Sequence, residues 1–61
     1  MDIPENVLEA LNEVRETGLF NMLDRAGIIE YLDDEEEVVE WLIANKRRYM
    51  EALIAMGEKY N

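Results

Sequence analysis

The 61-residue chain has no cysteine, no histidine and no serine, and only one proline, Pro4, and one threonine, Thr17. Without cysteine there is neither a disulfide nor a thiolate metal site. Without histidine the commonest metal ligand and general base is missing. Nucleophilic catalysis needs an activated Ser, Cys, Thr or Lys beside a base, and Thr17 stands alone at an expected helix end. Paired carboxylates can do acid–base chemistry only when one sits in an apolar cleft, for which a helical unit this small has little room. A non-enzyme without cofactor or metal is the expectation. The run Asp33-Asp34-Glu35-Glu36-Glu37 does not change it, because a calcium loop needs alternating oxygen ligands around a central glycine. An apolar run of about 18 residues and a basic-then-apolar leader are also missing, so no membrane partner and a cytoplasmic location are expected.

What is present is acid. Fifteen carboxylates face six basic residues, for a net charge of −9, and thirteen of the acids lie between Asp2 and Glu40, accompanied only by Arg15 and Arg25. Such a surface repels nucleic acid and anionic membrane and favours a basic protein partner. The triplet Lys46-Arg47-Arg48 gives no sustained positive field. It is expected instead to answer the glutamates of the first helix, within the subunit or across a dimer.

At 49% apolar the chain is too hydrophobic for an acidic disordered tail, and its punctuation divides a single domain, residues 1–61, into three helices. Asp2-Ile3-Pro4-Glu5 has capping-box spacing with proline in the first turn. From there a helix runs to Thr17 with Val7, Leu8, Leu11 and Val14 on one face. Gly18 suits a left-handed C′ position, with Leu19 as the contact behind it. Glu5, Glu9, Glu13 and Glu16 occupy an arc of about 80° on the opposite face. Their steps of about 6 Å approach the phosphate spacing along one DNA strand. They are the candidate partner-binding residues, against the alternative that they form a solvated face. Arg15, at the edge of the apolar face, is placed to bind carbonyls near Gly18 or a carboxylate of another helix.

Asn21 is the expected cap of a second helix, with Asp24 three residues on and Met22, Ala26, Ile29 and Leu32 as its stripe. Gly27 within it marks either a close helix approach or simple tolerance. Asp33 or Asp34 then caps a long third helix, reaching about Met56 and stopped by Gly57. On that helix Val38, Leu42, Tyr49, Leu53 and Met56 form one stripe, and Val39, Ile43, Met50 and Ile54 a second. With Trp41 and Ala52 widening the first stripe, they span about 220°, twice the arc that a surface helix needs. Either the helix lies between the other two, or the second stripe is a homodimer seam. A partner subunit suits a chain that buries only about 60% of its surface alone. An antiparallel pairing centred near Lys46 would oppose the two basic triplets, so an offset or crossed geometry is favoured. Asn45 and Lys46 fall inside the apolar arc, as a register-fixing polar group or a side chain extended to solvent. The expected fold is all-α: a three-helix unit with a long C-terminal helix, in a homodimeric bundle.

Val14-Arg15-Glu16-Thr17-Gly18 followed by Asn21-Met22 resembles the V-R-x-[S/T]-G-x-x-N-M signature of a family of short phage and prophage proteins of unknown function. Val39-Glu40-Trp41-Leu42 and Asn45-Lys46-Arg47-Arg48-Tyr49 resemble the closing helix of that family. The resemblance implies a phage-encoded accessory protein. Proteins of that kind bind a host protein as inhibitor or modulator, antiviral defence components included, or serve in particle assembly or replication.

Overall fold

The computed structural model describes residues 3–61. Four α-helices follow one another: α1 (Glu5–Thr17), α2 (Arg25–Tyr31), α3 (Glu36–Ala44) and α4 (Tyr49–Tyr60), with a 3₁₀ turn over Lys46–Arg48 between the last two. The all-α architecture agrees with the apolar periodicity, and no strand occurs among the described residues. One core joins Val7, Ala10, Leu11 and Val14 of α1 to Ile28 of α2, Leu32 just beyond it, Val38 and Leu42 of α3, and Tyr49, Ala52 and Met56 of α4. Leu8 and Leu53, expected in the stripes, pack only partly buried against it.

The start and stop of α1 follow from local chemistry. The N–H groups of Val7 and Leu8 both donate to the Pro4 carbonyl, at 3.0 and 3.3 Å, closing the first turn. The proposed capping carboxylate, Asp2, lies outside the described residues. The helix closes on Gly18 at φ 70°, a conformation that glycine adopts without steric cost. The Thr17 hydroxyl donates to the Val14 carbonyl and accepts from the Leu19 N–H, tying the turn. Leu19 makes no buried contact behind Gly18; it is 70% exposed.

The second helix starts later than expected. Asn21 caps only a turn, its Oδ1 accepting from the Leu23 N–H at 2.9 Å. Asp24 is the helix cap and accepts from the Gly27 N–H at 3.1 Å. Starting at Arg25 rotates the buried face to Ile28 and Leu32, leaving Ala26 exposed and Met22 and Ile29 half-buried. Gly27 is neither a helix crossing nor mere tolerance. A Cβ there would lie 2.4 Å from Asp24 Oδ2, so the glycine makes room for the cap.

The long third helix is broken. Neither Asp33 nor Asp34 caps α3; its N-cap is Glu35, which makes no side-chain cap bond. At Asn45 the backbone leaves the helical region (φ −117°, ψ 45°), and the chain turns through Lys46–Arg48 into α4. The Asn45 amide donates to the Trp41 carbonyl at 2.9 Å. Arg25 Nη1, reaching from α2, donates to the Leu42 carbonyl at 3.0 Å. The Trp41 carbonyl also keeps its helical bond from the Asn45 N–H at 2.9 Å, while Arg25 satisfies the Leu42 carbonyl, which a continuous helix would have paired with Lys46. Past the turn, α4 runs through Gly57, which is an interior residue and no stop signal.

α4 lies antiparallel to α1, its principal neighbour. The end of α4 meets the start of α1 through the Lys59–Glu5 ion pair. At the other end the Tyr49 hydroxyl donates to the Met22 carbonyl at 2.6 Å, just past α1. No helix among the described residues is long and apolar enough to cross a membrane.

Candidate functional site

The glutamate row of α1 is exposed along its length, as the helical period requires once Val7, Leu11 and Val14 face the core. Its members differ in what surrounds them. Glu5, in the first turn where the helix dipole favours an anion, pairs with Lys59. Glu9, Glu13 and Glu16 form no ion pair among the described residues. Tyr60 stands beside the middle of the row. Desolvation, then the charges of Glu9 and Glu13, push its phenol above the ordinary tyrosine value. Glu16 sits one residue before the end of α1, where the macrodipole disfavours negative charge by roughly 0.3–1 kcal/mol. Arg15 does not relieve it. Its guanidinium donates to Asn12 Oδ1 at 2.7 Å, binding neither carbonyls near Gly18 nor another helix.

The basic triplet does not answer the α1 glutamates. Arg48 makes two 3.2 Å hydrogen bonds to Glu51, three residues on, and stands 5.7 Å from the Trp41 ring centroid. The bond from Arg48 holds the Glu51 carboxyl below the ordinary range. The break at Asn45 puts the triplet in the 3₁₀ turn before α4, and Lys59 reaches α1 in its place.

Of the four seam residues, Ile43, Met50 and Ile54 are 60%, 53% and 58% exposed, and Val39 packs partly buried against the core. The bend divides them, two on α3 and two on α4. Further exposed apolar side chains, not anticipated from the sequence, are Leu23 in the α1–α2 loop and Tyr31, whose ring meets Phe20 edge to face at 5.2 Å. A loop leucine carries no periodicity, so only its distance from either helical stripe hinted at exposure.

A shallow cleft of about 270 Å³ lies between the starts of α1 and α3, lined by Asn6, Glu35, Glu36, Glu37 and Val38. The Asn6 amide donates to Glu37 Oε1 across it at 3.3 Å. Its polar groups are three carboxylates and one amide, with no nucleophile and no cation. Among the described residues no group of three or more acids is arranged to hold a metal ion. No family model matches the chain, and neither does any curated protein or solved structure with which it was compared.

Proposed function

We propose that the protein is a small acidic, non-catalytic binding module that acts by occupying a basic surface of another protein. The phage-family resemblance makes that partner a protein of a bacterial host, inhibited or modulated in the host cytoplasm, with antiviral defence components among the candidates. The observation that carries this reading is the exposed row Glu9, Glu13 and Glu16 on one rigid helix, without an ion pair among the described residues. Glu16 strengthens it, because a carboxylate against the helix dipole costs stability that recognition can offset. A partner basic enough to bind the row would be released by salt, since exposed charges are screened over about 10 Å at 0.1 M ionic strength.

Replacing Glu9 and Glu13 with lysine tests the row. Both are exposed, so the helical circular dichroism should be retained while a partner captured from bacterial lysate by the wild type is lost. Equal capture by both proteins, or no specific partner for the wild type, would overturn the proposal. A second reading, an assembly component of a phage particle or replication complex, draws on exposed Ile43, Met50 and Ile54 as a seam for a second copy. Mass spectrometry of purified virions separates the two, since only an assembly component is retained in the particle.

A further inference from the structure

We propose that residues 45–48 are a hinge, and that in a second form of the protein they straighten, so that α4 docks on α1 of a second copy. The proposal rests on the homodimer reading of the second stripe and gives it a mechanism.

The bend is held by side-chain hydrogen bonds and not by a helix-breaking residue. Ala44 to Arg48 contains neither proline nor glycine, and alanine, lysine and arginine are among the better helix formers. What holds the bend are the Arg25 bond to the Leu42 carbonyl, the Asn45 amide on the Trp41 carbonyl, and the Tyr49 hydroxyl on Met22. Release of these contacts leaves a sequence whose own preference is a continuous helix.

Straightening has a geometric consequence. One helix from Glu36 to Tyr60 would be about 37 Å long, whereas the longest extent of the closed molecule is 25 Å. α4 would therefore leave its own α1, uncovering Val7, Ala10, Leu11 and Val14. The surface that fits this face is α4 itself, because that contact is already made in the closed form. Exchange of an identical element between copies restores the α1–α4 packing that opening breaks. It also completes the seam. On a continuous helix Val39, Ile43, Met50 and Ile54 fall within an arc of about 60°, one stripe where the bent form has two halves. Lys46 and Arg47 flank that stripe on opposite sides, so two such helices cross or run offset.

The Lys59–Glu5 ion pair reports which copy α4 occupies. Isotopically light and heavy chains are unfolded together, refolded at high concentration and separated by size. Lys59 is then coupled to Glu5 with a carbodiimide, and the linked peptides are weighed by mass spectrometry. The expected result is a dimer fraction rich in mixed light–heavy links, with the monomer fraction containing none. Asn45→Ala, which removes the side-chain hydrogen bond at the bend and favours helix, should raise the dimer's share of the protein, and with it the mixed fraction of all links, several-fold. A dimer whose links are all light–light or heavy–heavy overturns the hinge and leaves the seam standing. A mixed fraction that Asn45→Ala leaves unchanged removes the hinge at that residue. If light scattering finds a monomer at every concentration for both proteins, hinge and seam fall together.

Discussion

The Tyr49 hydroxyl lies where α4 begins, and its bond to Met22 ties that helix to the α1–α2 loop. Burial pushes its phenol up to about 12 from an ordinary 10.0, with Arg25 opposing the rise and Asp24 adding to it. Because the folded value exceeds the unfolded one, the neutral phenol is favoured in the fold. Its contribution is complete below pH 10 and is lost as pH rises through that window towards 12. Tyr49→Phe should flatten the alkaline fall in stability across this range, measured by urea unfolding at stepped pH. At neutral pH the same change should cost about 1 kcal/mol for the lost hydrogen bond. An alkaline fall of equal size in the variant would assign it to another group. Neither the partner of this hydroxyl nor that of Lys59 was legible in the sequence, because 27 residues separate Tyr49 from Met22 and only the fold brings them together.

The helices differ in how far their own residues determine them. α1 was legible throughout its length: a 3.6-residue apolar period, proline just before the first turn and glycine just after the last are all local signals. α2 was legible only as a helix, because Asn21 and Asp24 are both good caps and the choice between them sets which face is buried. Asp24 and Gly27 form one unit here, and a double-mutant cycle exposes it. Asp24→Ala should cost about 1 kcal/mol. Gly27→Ala should be near neutral in the wild type, where the new Cβ displaces the capping carboxylate. In the Asp24→Ala background it should instead stabilise by about 1 kcal/mol, the ordinary gain of alanine over glycine. Additive effects in thermal unfolding would refute the linkage. The break at Asn45 was not legible, since no breaker residue marks it and the Arg25 side chain that supports it comes from another helix.

For the whole molecule, the governing fact is a small core beneath an uneven surface. Among the described residues, eleven buried hydrophobic side chains form it, few enough that a second copy would add much to stability. Ile43→Asp combined with Met50→Lys should leave the closed subunit folded, because both side chains are exposed, while halving the mass seen by light scattering. A wild type that is already monomeric would remove the seam. The candidate seam was legible as a stripe, but its division by the bend was not. The glutamate row was legible as four equivalent positions, and the fold makes them unequal by giving Glu5 to Lys59.

Trp41 is the only tryptophan, half-buried on α3, with its carbonyl bonded to Asn45 and the Arg48 guanidinium 5.7 Å from its ring. In a continuous helix residues 41 and 48 stand about 10 Å apart along the axis, which draws the cation away from the indole. Straightening of the bend should therefore change the intrinsic fluorescence, excited selectively at the indole, so that the proposed opening can be followed without any added label.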